Sequence, residues 1–206
     1  GGGAAFNSLT RNMFQSVHSF TLLPIPLFVL MGEILWHSRV ALNAIDALDK
    51  LLGRLPGRLS VLTVISGTVF SSLSGSTVAN TAVLGTILLP DMERRGYKRP
   101  MSIGPILASG GLAMIVPPSG LAVILAAIGK LSIGRILLGA LIPGLIMASL
   151  YLAYILIRCR MNPELTPAYE VDPIPLRDRI WGILIHLLPL SIIVFLVTGV
   201  IVVGIA

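Results

Sequence analysis

Acidic residues are scarce in this chain: nine Asp and Glu stand against fifteen Lys and Arg in 206 residues, and all charged residues together make up 12%. The single cysteine, Cys159, excludes a disulfide framework, and three scattered histidines, His18, His37 and His186, offer no transition-metal spacing. No nucleophile elbow, phosphate-binding loop or His–carboxylate cluster appears. Serines cluster at 71–76, but no base is placed beside them, so the chain is not expected to be an enzyme and calls for no cofactor.

What fills the chain is apolar sequence, 55% hydrophobic with a mean hydropathy of +0.92. Several runs approach the roughly 20 residues that cross a bilayer, so the expected class is an all-α polytopic membrane protein. A net charge of +6 and a pI near 10.1 would suit nucleic acid in a soluble protein. In a membrane chain they read as basic cytoplasmic loops, with the lipid bilayer as partner and no nucleic acid. The chain opens on GGGAAF without Met or signal peptide and closes in an apolar run, which suggests an internal piece of a longer protein.

Residues 20–36 read as a membrane helix bent early by Pro24 and Pro26, with Glu33 facing protein or the interface. Residues 38–58 are amphipathic and suit a helix in the membrane interface. Residues 60–90 are apolar at both ends, but their centre, SSLSGST at 71–77 with Asn80 and Thr81 beyond, is small and polar. Irregular backbone survives at membrane depth only inside protein or beside a watery cavity. The expectation is a re-entrant hairpin of two short half-helices meeting at Ser74-Gly75-Ser76. The flanking stretches support this, since each carries four basic residues against two acidic ones: Arg39, Lys50, Arg54 and Arg58 before, Arg94, Arg95, Lys98 and Arg99 after. A full crossing would put similarly basic loops on opposite sides of the membrane, and a hairpin puts both in the cytoplasm.

Residues 102–128 form the next span, interrupted by Gly110-Gly111 and by Pro117-Pro118-Ser119-Gly120. A proline kink is one reading; a broken helix with unwound backbone fits better, because two backbone donors are missing and the glycines weaken the helix further. Residues 136–157 return as a helix ending at Arg158-Cys159-Arg160. Residues 161–180 are a Pro-rich cytoplasmic linker, and 181–203 are a last span. The chain thus divides into an N-terminal helix and arm (1–59), a transport-type core (60–128) and following helices (129–206). Secondary carriers build sites where half-helix N-termini meet anions and unwound carbonyls meet Na⁺. With no acidic residue in the tip or the break, Na⁺ suits these neutral oxygens better than a carboxylate proton relay.

The runs FTLLPIPLFVLMGE (20–33), SLSGSTVANTAVLG (72–85), PDMERRGY (90–97) and IVPPS (115–119) together resemble the large membrane subunit of TRAP (tripartite ATP-independent periplasmic) transporters, in order and over nearly the whole chain. The resemblance implies an elevator-type carrier of two inverted repeats, each with a hairpin and a broken helix, of which this chain looks like the first. It implies Na⁺-coupled import of organic acids across the bacterial inner membrane, with a small membrane subunit and a periplasmic solute-binding protein as partners. It places Ser74, Gly75, Ser76 and Asn80 at the hairpin tip. Gly110, Gly111, Ile115, Val116, Pro117, Pro118 and Ser119 fall at the break, where the family's sodium and substrate contacts gather. Asn80 stands where the family often has Asp, and Ala113 where Gly is frequent. The competing expectations are an elevator-type anion carrier of another family and a non-transporting membrane scaffold.

Overall fold

A computed structural model describes residues 7, 8, 10, 11, 30, 34, 40–52, 55–167 and 192. Apart from residues 30, 34 and 192, the spans expected at 20–36 and 181–203, and the linker beyond 167, lie outside the described residues. Among the described residues from 40 to 167 the helices run in order α1 (Val40–Leu52), α2 (Arg58–Ser74), α3 (Thr77–Arg94), α4 (Arg99–Leu112), α5 (Gly120–Ile128) and α6 (Ile133–Met161), and a short 3-10 turn at Pro163–Leu165 follows. There is no strand among the described residues.

The amphipathic arm forms as its periodicity predicts. Ala44, Ile45, Ala47 and Leu48 of α1 are buried and Asn43 and Asp46 are exposed, with the apolar face against α2. Helices α2 and α3 make a hairpin around Gly75 and Ser76, and α4 packs against both arms. The core between them is apolar, with Leu62, Leu84, Met92, Met101 and Leu112 fully buried. Several hydroxyls in these helices are kept from costing burial energy by bonding back to the preceding turn: Thr63 donates to Leu59 O, Thr68 to Val64 O and Ser71 to Gly67 O, whereas the buried Ser66 Oγ has no partner among the described residues.

Two boundaries differ from the sequence expectation. Pro90 does not end the second arm: α3 runs on to Arg94, and Asp91 and Arg95 close its last turn with an ion pair at 2.9 Å. Gly110 and Gly111 are not part of the unwound stretch but form the last turn of α4, and the break is confined to residues 113–119.

The hairpin's two outer ends lie at one end of the bundle. The Leu59 amide donates to the Tyr97 hydroxyl at 3.4 Å, and Ser60 Oγ donates to the Met101 carbonyl. Helix α6 passes the same end, where Cys159 Sγ lies 3.9 Å from Met101 Sδ. At 29 residues and a mean hydropathy of 2.2, α6 is the one helix among the described residues long and apolar enough to cross a membrane, and only 17% of that window is buried.

Candidate functional site: a hairpin tip against a helix break

The chain turns at residue 75 because Gly75 takes a left-handed conformation, φ 58°, as the C-cap of α2, its amide donating to Ser71 O at 3.0 Å. Ser76 is extended and caps α3, its hydroxyl accepting from the Ala79 amide at 3.3 Å. Ser74 Oγ accepts from the Ser76 amide at 3.4 Å.

The break in the other segment repeats the device. The end of α4 tightens into turns, with Ala113 donating to Gly110 O and Met114 to Gly111 O. Pro117 and Pro118 then supply no amide donors, and the bond between them is cis. Ser119 restarts the helix: its hydroxyl accepts from the Ala122 amide at 3.4 Å and donates to Met114 O at 2.7 Å.

The two discontinuities touch. A methyl group at Gly75 would sit 3.0 Å from the Pro118 carbonyl and 3.1 Å from the Gly120 amide. The helices behind them are brought close by small residues, which is how helices associate where no hydrophobic drive separates lipid from protein. Gly67 of α2 faces Ser109 of α4, and Gly110 of α4 faces Thr81 Oγ1 and the Thr77 carbonyl of α3.

Asn80 ties the three helices together behind the tip. It is 2% exposed, and its Nδ2 donates to Gly67 O at 3.2 Å, Ser71 Oγ at 3.1 Å and Ser109 O at 2.9 Å. Its Oδ1 is buried and has no partner among the described residues.

The sequence-predicted residues therefore sort by place. Gly75 meets Pro118 and Ser119, Ser76 and Ser119 are caps, and Asn80 lies about one turn into α3, fully inside. Ile115 and Val116 face α6, where a methyl group at Gly144 would meet their side chains at 3.5 and 3.1 Å. Gly111 has nothing within 4 Å of such a methyl group. Gly67, Thr81 and Ser109 belong to the seam but were not singled out from sequence. Only the repeated small residues hinted at them, and which small residue faces which depends on helix register.

No charged side chain occurs between residues 59 and 90 or between 100 and 129. The site works with dipoles alone. The N-termini of α3 and α5 contribute partial positive charge, and the C-terminal carbonyls of α2 and α4 partial negative charge. Such a site can order an anionic group at the helix starts and a hard cation on neutral oxygens.

Two helix discontinuities are thus in contact within one helical bundle. Comparison with known proteins assigns the family. Residues 4–206 match the family model described as "Tripartite ATP-independent periplasmic transporter, DctM component", and the chain belongs to that family. It is 30% identical to the C4-dicarboxylate TRAP transporter large permease protein DctM of Pseudomonas aeruginosa over 187 residues, 89% of this chain and 44% of that protein. It is 36% identical to the 2,3-diketo-L-gulonate TRAP transporter large permease protein YiaN of Escherichia coli over 125 residues, 61% of this chain and 29% of that one. An ectoine TRAP transporter large permease, TeaC of Halomonas elongata, is 30% identical over 65% of this chain and 31% of its own length. The chain thus spans less than half the length of these curated relatives.

Proposed function

We propose that this chain is part of the membrane subunit of a Na⁺-coupled secondary transporter that imports organic acids across the bacterial inner membrane. The solute is delivered by a periplasmic solute-binding protein, and a small membrane subunit completes the complex. Membership of the DctM family supports this, as do relatives named for C4-dicarboxylate and 2,3-diketo-L-gulonate transport.

The observation that carries the reading is the contact of Gly75 with the Pro118–Gly120 backbone. Two serine-capped helix starts come together there in a region without charge. In the proposed mechanism Ser74, Gly75, Ser76 and the 115–119 backbone supply neutral oxygens for Na⁺, and the α3 and α5 N-termini favour the solute carboxylate. Helix α2, 17 residues and so about 25 Å long, falls short of the roughly 30 Å hydrocarbon core. That length favours a dip from the cytoplasmic face over a full crossing. In an elevator cycle residues 60–128 move as the carrier core against the flanking arm and helices.

The test uses the complete transporter in proteoliposomes with an inward Na⁺ gradient and a panel of labelled organic acids. Uptake is expected to stop when K⁺ replaces Na⁺; Na⁺-independent uptake overturns the coupling. Ser74→Ala with Ser76→Ala should abolish uptake while leaving the protein in the membrane. A scaffold that uses these serines only for packing would tolerate the change.

A further inference from the structure

Helix α6 turns an apolar stripe outward. Ile142, Ile146, Leu150, Tyr154, Ile157 and Met161 recur at three- and four-residue intervals, each between 54% and 69% exposed. A shallow groove of about 440 Å³ runs along the same face, with Leu145, Ser149 and Ala153 completing its walls. At about 100° per residue, Arg158 and Arg160 lie roughly 160° apart on the helix, with Ile157 and Met161 between them. Two exposed guanidiniums therefore bracket the end of the stripe, and neither makes an ion pair among the described residues.

The surroundings reinforce the positive field. The Lys98 amide donates to Leu165 O at 3.0 Å, so the start of α4, with Lys98 and Arg99 exposed, adjoins the end of α6. Across residues 91–99 and 158–165, six basic side chains face three acidic ones, Asp91, Glu93 and Glu164, and Asp91 is held by Arg95.

We propose that this end of α6 is a binding site for an anionic phospholipid, with an acyl chain along the groove and the phosphodiester between Arg158 and Arg160. One molecule then meets both chemistries. The long arginine stems follow the apolar surface while their heads reach the phosphate. The Tyr154 ring lies one turn deeper, at the level where amphipathic aromatics settle. A lipid headgroup supplies the counter-charge at the depth where the stripe ends.

The site rests on α6 crossing the bilayer with its arginine end at the cytoplasmic face. Lipid binding is read without transport, so its failure and failure of the carrier reading are separable. The experiment uses the full-length protein in neutral detergent, with binding followed by native mass spectrometry and thermal stability. Phosphatidylglycerol is expected to bind and to raise the melting temperature, phosphatidylcholine to bind at least about tenfold more weakly, and inorganic phosphate to do neither. Arg158→Gln with Arg160→Gln should weaken phosphatidylglycerol by roughly tenfold or more, Arg158→Lys with Arg160→Lys should retain most of the affinity, and Arg94→Gln should leave it unchanged. Equal binding of the two lipids, equal protection by phosphate, or an equal loss with Arg94→Gln would overturn the site. If the double glutamine variant does not accumulate, the comparison of the two lipids on the unaltered protein still decides.

Discussion

At the mouth of the hairpin the chain is bolted by charged and hydrogen-bonding side chains, whereas at the tip it is held by backbone proximity and cap hydroxyls. The Arg58 side chain, 6% exposed, reaches from the first turn of α2 to Asp49 of α1. Its Nε and Nη2 donate at 2.7 Å to the Asp49 carboxylate and carbonyl, and Nη2 lies 2.6 Å from the second carboxylate oxygen. Leu59 and Ser60 bond to Tyr97 and Met101 across the same end. At the tip, Ser74, Gly75, Ser76 and Thr77 are half-buried, Val78 is 79% exposed, and no side-chain ion pair is present. A firm mouth with a lightly held tip suits the binding role proposed for this hairpin. In that proposal the tip changes its contacts while the mouth keeps the arms in register.

The largest effect should come from Gly75→Val. A side chain there must adopt a left-handed conformation that costs about 1–2 kcal/mol, and its Cβ crowds the Pro118 carbonyl at 3.0 Å. Neither neighbour is a flexible side chain that can yield. Uptake by the reconstituted transporter should be abolished while insertion, followed by a fluorescent fusion in membranes, stays near normal. Lost insertion would mean that the tip is as structural as the mouth, and the contrast between the two ends would fail.

Asp49→Ala tests the other side of the contrast. It removes the carboxylate from a partly buried pair whose Asp49 side chain is one-third exposed, at 33%, while the Arg58 bond to the residue-49 carbonyl remains, so the cost is about 1–2 kcal/mol. Thermal unfolding in detergent should show the loss, while uptake per folded molecule changes little. A selective loss of uptake with unchanged stability would place the arm in the transport machinery instead.

Asn80→Leu should fall between structure and function. It keeps the volume but removes three donated bonds that join α2, α3 and α4. It also removes the buried Oδ1, which has no partner among the described residues. A net loss of about 2 kcal/mol is expected from the missing bonds, offset in part by the lost orphan. Uptake should drop several-fold because the tip is no longer referenced to α4.

Much of this was legible in the sequence, and the reasons for the rest are specific. The turn at Gly75 and the restart at Ser119 follow from local chemistry: a permissive glycine, prolines without donors and hydroxyls ready to cap. The amphipathic arm follows from periodicity. The extent of α3 beyond Pro90 did not follow. A proline near a helix end removes one donor without ending the helix when the next turn closes through pairs such as Asp91–Arg95. The pairing of Gly67 with Ser109, and the inward turn of Asn80, depend on how two helices register against each other. A pattern of small residues permits many such registers and selects none. Asn80 was read as a site residue near the tip; its Nδ2 donates to the three carbonyl and hydroxyl oxygens around it, while its buried Oδ1 has no partner among the described residues.

The smallest expected effect is the pH response of the mouth. The Asp49 carboxyl is pushed above its ordinary value of 3.8 because burial strips water from it; the Arg58 charge and hydrogen bond pull the other way and do not fully offset this. A raised folded-state pKa means that the folded protein holds the proton more tightly than the unfolded chain does. The contribution to stability is therefore complete below the unfolded value near 3.8 and is lost as pH rises through the raised folded value. Because the Asp49 side chain is one-third exposed, at 33%, solvent screening keeps the effect small. Over that window the melting temperature should carry a shallow component that falls with rising pH, and Asp49→Asn should remove it. A component of opposite sign would mean that attraction to Arg58 outweighs the cost of burial, and the mouth would then be held more by charge than by packing.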